Sequence, residues 1–73
     1  MGQATDERRL EWTAHQKAGQ VVAWLLEGEA MTTRDIADKT EMTWHGARYM
    51  MEMLSLTLPI VQVDGEWRWM VRQ

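Results

Sequence analysis

The sequence predicts a mostly helical α+β fold, three helices followed by a C-terminal β-hairpin. Three observations lead there. Apolar residues recur at helical spacing, first through Ala14, Ala18, Val21, Val22 and Leu25, then through Ala47, Met50, Met51 and Leu54. Threonines, whose short hydroxyl side chain can accept from an unpaired helix N–H, stand at the head of each helical stretch. Pro59 closes the helical part, and beyond it Asp64-Gly65 separates two runs rich in Val, Ile and Trp, the pattern of a hairpin.

Taken in order, residues 1–5 read as a loose tail and residues 6–73 as one domain. A helical segment runs from Asp6 to about Glu27, with Leu10 extending its apolar stripe. Thr13 and Gln16 have capping-box spacing, which would start the helix proper there and leave residues 6–12 as an extra turn. Gly28 is the stop signal, and Trp12 and Trp24 flank the stripe. Residues 30–32 form a short extended piece able to pair with a later strand. Thr32 with Asp35, or Thr33 alone, caps a short second helix whose inward residues are Ile36 and Ala37.

A turn containing Met42 follows, and Thr43 caps a third helix running from Trp44 to about Ser55. At about 100° per residue, Ala47, Met50, Met51 and Leu54 share one side. His45, Arg48, Tyr49 and Glu52 share the other, with Trp44 and Ser55 at the margin. Met50, Met51 and Met53 read as core and flank. In the hairpin, a two-residue turn would pair Ile60 with Trp69 and Gln62 with Trp67. A three-residue loop with Gly65 in a bulge would pair Val61 with Trp67. The second is expected, because it gathers Val61, Trp67 and Trp69 on one face and leaves Ile60, Arg68 and Met70 on the other.

Composition narrows the function. The chain has 73 residues, 45% apolar and 26% charged, with five Trp and seven Met, which is a globular rather than a disordered composition. No Cys is present, so neither a disulfide framework nor a thiolate metal site is expected, and a reducing, cytoplasmic setting fits. "MGQATDERRLEW" lacks the apolar segment of a secretory signal, Asp6 stands where myristoylation wants Ser or Thr, and no apolar run approaches the ~20 residues of a membrane span. His15 and His45 are thirty positions apart with no metal-ligand spacing, Ser55 is the lone Ser, and no Gly-rich loop precedes a helix. No catalytic residue, metal ligand or cofactor is therefore expected. The formal net charge of −3 argues against a protein held on nucleic acid by charge alone.

Two helices joined by a tight turn, "TTRDIADKTEMTWHGARYMMEML", and then a hairpin, "PIVQVDGEWRWMV", resemble the winged helix-turn-helix family of DNA-binding domains. The resemblance covers roughly residues 13–71. Its second-helix apolar-Ala pair is matched by Ile36-Ala37, its apolar turn residue by Met42, its recognition-helix cap by Thr43 and its inward positions by Ala47, Met51 and Leu54. Glu41 departs from the pattern, standing where the turn often has Gly. So does Gly46, inside the third helix, and so does the wing tip, which is acidic at Asp64 and Glu66.

The resemblance implies a transcriptional regulator that binds double-stranded DNA in a sequence-specific way, with the helix at residues 44–55 in the major groove. The residues it implicates are Thr33 and Arg34 at the head of the second helix, Thr43, Trp44, His45, Arg48 and Tyr49 on the third, and Arg68 on the wing. Arg48 is the candidate for a guanine or a phosphate. It also lies four residues from Glu52, where the two can pair on a solvated face. A homodimer through the N-terminal helix, using Leu10 and Trp12, is the expected assembly. The rival is a winged helix that binds protein through Trp44 and Tyr49, as an adaptor or a subunit of a nucleic-acid-processing complex. A positive strip through Arg34, Arg48 and Arg68 would favour DNA, and an aromatic patch ringed by acids would favour protein.

Overall fold

Each helix begins at a threonine whose hydroxyl accepts an N–H of the first turn. The computed structural model describes residues 12–70. Its elements are α1 (Ala14–Leu26), β1 (Met31–Thr32), α2 (Thr33–Thr40), α3 (Trp44–Ser55), β2 (Ile60–Val63) and β3 (Glu66–Trp69). At α1, Gln16 N–H donates to Thr13 Oγ1 at 3.2 Å and Thr13 N–H donates back to Gln16 Oε1 at 2.8 Å. Thr32 and Asp35 make the same reciprocal pair at α2, at 3.0 and 3.1 Å. At α3, Gly46 N–H donates to Thr43 Oγ1 at 3.0 Å, and glycine has no side chain to answer. Such a cap is worth about 1 kcal/mol. α1 starts at its capping box, so the proposed helical turn before it, Leu10 included, falls outside the described residues, apart from the half-buried Trp12.

The helices end as locally. Past α1, Gly28 takes φ +100, Gly28 N–H donates to the Leu25 carbonyl at 3.0 Å and Glu29 N–H to the Trp24 carbonyl at 3.2 Å. Past α2 the same pair recurs, Glu41 N–H to Asp38 and Met42 N–H to Ala37, at 3.4 and 2.9 Å. Here the left-handed residue is Glu41, at φ 57, ψ 47. That conformation crowds its Cβ against the backbone, a cost of about 1 kcal/mol or more that glycine would avoid.

The three strands form an antiparallel sheet in the order β1-β3-β2. Met31 pairs with Trp67, Gln62 with Trp67 and Ile60 with Trp69. This corrects the expected hairpin: the loop has two residues, Asp64 and Gly65, both with positive φ (53 and 82). A two-residue turn of that hand follows the right-handed twist of the strands. Ile60 therefore shares the inward face with Trp67 and Trp69, while Val61 lies opposite Arg68 on the outer face.

The core is built from every element: Val21 and Leu25, Met31, Ile36 and Ala37, Ala47 and Met51, Ile60 and Trp67. Trp24, Met50, Leu54 and Trp69 pack around it. Ala14, assigned to the apolar stripe, is exposed, and Met53 is 46% exposed rather than flanking the core. Among the described residues, two polar side chains are buried with their bonds made. Thr40 Oγ1 donates to the Ile36 carbonyl at 2.7 Å, and Thr33 Oγ1 accepts from Trp67 Nε1 at 2.9 Å. The second bond fastens the sheet to the head of α2. Three helices followed by a hairpin packed on them make a mostly helical α+β domain with a winged-helix-like arrangement.

Candidate nucleic-acid interface

α3 is buried along one side only. Ala47 and Met51 have no exposed surface, and α2 and β2 pack against this side. Rotating about the axis by the helical period brings Trp44, His45, Arg48, Tyr49 and Glu52 to the solvent side, where all five are exposed. Tyr49 reaches 65% exposure.

These side chains are not independent. Arg48 Nε donates to Glu52 Oε2 at 2.9 Å, an i,i+4 pair with both partners about half exposed. The guanidinium carbon of Arg48 lies 5.5 Å from the centroid of the Trp44 ring, within cation–π range. The Trp44 and His45 rings meet edge-on, with centroids 5.2 Å apart and planes at 85°. At the helix head, Thr43 spends its hydroxyl on Gly46 N–H. The N–H groups of Trp44 and His45, in the first turn, have no acceptor within the helix. A Cβ at Gly46 would stand 3.0 Å from Thr43 Oγ1, so glycine gives the cap its room.

The other candidates are placed differently. Thr33 is 6% exposed and its hydroxyl holds the Trp67 indole, so its side chain is withdrawn from the surface. Nothing local in the sequence signals this burial; the phosphate contact expected at Thr33 rests on the backbone N–H groups at the head of α2. At the α2 head, the Asp35 carboxylate already accepts from Thr32 N–H, so the chain supplies its own anion there. Arg34 is exposed and, among the described residues, has no ion-pair partner. Arg68, on the outer face of β3, pairs with Glu66 at 3.3 Å, and Lys39 pairs with Glu29 at 3.0 Å while lying 4.6 Å above the Trp24 ring. Arg48 and Arg68 are thus each partly neutralised by a neighbouring carboxylate.

Sequence reasoning missed one further feature. Tyr49, Met53 and Leu56, at i, i+4 and i+7, form an exposed apolar row along α3, and Leu56 is 73% exposed. The signal was present, since Leu56 falls outside the Ala47–Met51 side.

Among the described residues, no group of three or more His, Cys, Asp or Glu is placed to hold a metal. Ser55 Oγ donates to the Glu52 carbonyl at 2.8 Å. A cleft of about 260 Å³ between Leu25, Leu26 and Trp69 is below the ~300–1,000 Å³ usual for ligand pockets. No helix is long and apolar enough to cross a membrane among the same residues. No protein-family model matches the chain, and neither a curated protein nor a solved structure matches it.

Proposed function

We propose that this protein is a winged helix-turn-helix regulator that binds double-stranded DNA, with α3 in the major groove. One observation carries the reading: α3 is a single rod buried along Ala47 and Met51 and free along Arg48 and Tyr49. A helix of this diameter fits a groove ~12 Å wide, and its outward residues face base edges there. In this reading Arg48 contacts a base, His45 and Tyr49 contact bases or backbone, and Trp44 packs beside them. Thr43 and the first-turn N–H groups of α3 approach a phosphate. Arg34 and Arg68 contact phosphates from α2 and the wing, and the setting is intracellular. A dimer would double these contacts and fix the half-site spacing.

A second reading has its own support. The apolar row Tyr49–Met53–Leu56, with Arg48 and Arg68 both ion-paired, suits a protein partner better than a polyanion. The test separates them. The protein is titrated into a mixed duplex library at low and moderate salt, with Arg48→Ala in parallel. Enrichment that Arg48→Ala abolishes supports DNA reading through α3. No enrichment at either salt removes the DNA proposal in favour of the protein partner. Enrichment that Arg48→Ala leaves intact keeps the function and displaces the residue assignment.

A further inference from the structure

We infer that Glu52 and Trp44 are positioning residues that pre-set the Arg48 guanidinium for end-on recognition of guanine. The inference rests on the DNA-binding reading above and specifies what its central residue reads. A guanidinium has five N–H donors in a fixed planar fork. Glu52 Oε2 takes the Nε–H at 2.9 Å, and the Trp44 ring lies 5.5 Å from Cζ. One edge of the fork is therefore engaged by a carboxylate, and an aromatic ring lies in cation–π range beside it. The Nη groups make no hydrogen bond to any described residue and point the two parallel donors away from Nε.

This arrangement selects among bases. Guanine offers two acceptors, O6 and N7, side by side in the major groove, which two parallel donors match. Adenine offers N7 beside the N6 amino group, which would meet the second donor with another donor. An unrestrained arginine can turn its fork toward phosphates or present Nε with one Nη. With Nε held, those alternatives are reduced, and less rotamer freedom is lost on binding. Glu52 also discourages a phosphate from replacing the base, since it would stand beside a carboxylate. The exposed ion pair contributes little to stability, so the role assigned to it is orientation.

The experiment uses the full chain and the duplex that the library enriches. The base-pair position whose preference Arg48→Ala erases is identified first. At that position the parent is expected to prefer G·C over A·T by about tenfold or more. Glu52→Ala and Trp44→Ala are each expected to cut the preference to about threefold or less, and neither should change it further once Arg48 is Ala. Glu52→Gln, which keeps an acceptor for Nε–H, and Trp44→Phe, which keeps a ring face, are expected to restore most of it. Circular dichroism of each variant checks that the helices remain. In the free protein, the Arg48 Nε–H resonance should shift and exchange faster with water in Glu52→Ala. Full preference retained in both alanine variants overturns the inference while leaving the DNA-binding reading standing, as does a preference at that position for any pair but G·C. If the parent enriches no duplex, the underlying reading has failed and this inference goes with it. An unchanged Nε–H signal in Glu52→Ala overturns the positioning role by itself.

Discussion

Replacing Thr33 by Val tests how the sheet is held to the helices. Thr33 Oγ1 accepts the Trp67 indole N–H at 2.9 Å, and the two residues are 6% exposed each. Valine has nearly the same shape but no acceptor, so the only donor of the indole is left buried and unpaired. That costs about 1–3 kcal/mol, offset by a few tenths from burying a methyl in place of a hydroxyl, for a net loss of about 1–2 kcal/mol. The cap of α2 is untouched, because it belongs to Thr32 and Asp35. In a domain of this size each kcal/mol moves the melting temperature by about 4–8 °C, so a fall of roughly 4–15 °C is expected. Urea and thermal unfolding followed by circular dichroism measure it. A double-mutant cycle with Trp67→Phe isolates the bond: without the indole donor, Thr33→Val should be close to neutral, giving a coupling of about 1–2 kcal/mol. Equal effects in both backgrounds would refute the reasoning, because the bond would then contribute nothing specific.

Two further predictions concern the turn and the electrostatics. Glu41→Gly should raise stability by about 0.5–1 kcal/mol, since glycine relieves the left-handed strain at φ 57 but loses more freedom on folding; thermal unfolding checks this, and a loss of stability would mean that the turn is not strained. If DNA binding places Arg34 and Arg68 on phosphates while Arg48 reads a base, log affinity should fall against log salt with a slope of about −1.8 per copy, roughly a 12-fold loss from 50 to 200 mM; a much steeper slope would require basic groups outside this face.

The parts of the fold that were legible in the sequence are those decided locally. A threonine cap, a Gly or Glu in the left-handed position and an apolar period of 3.6 each act within a few residues, so the head and the inward set of α3 could be read directly, while the heads of α1 and α2 were each narrowed to two alternatives that include the observed cap. The hairpin could be located but not registered. Asp64-Gly65 marks a turn, yet Ile60 and Val61 are both apolar, so alternation alone does not choose the buried one. The choice is made by tertiary contacts, with Ile60 in the core and Trp67 bonded to Thr33. The burial of the Thr33 side chain is hidden for the same reason: its environment is set by a residue 34 positions away. On the candidate interface, spacing indicated the outward side chains of α3 correctly. It gave the Arg48–Glu52 pair as one of two alternatives, and it passed over the row formed by Tyr49, Met53 and Leu56, because an apolar residue near a helix end is ordinarily assigned to the core.

The most direct measurement of the central claim is amide chemical-shift mapping of the labelled protein on titration with its enriched duplex. The account predicts that the largest changes fall on residues 43–52, with smaller ones at Arg34 and Arg68, while the buried Val21 and Leu25 on α1 stay in place. Changes confined to α1 or the far side of the sheet, with Arg48 and Tyr49 silent, would contradict it.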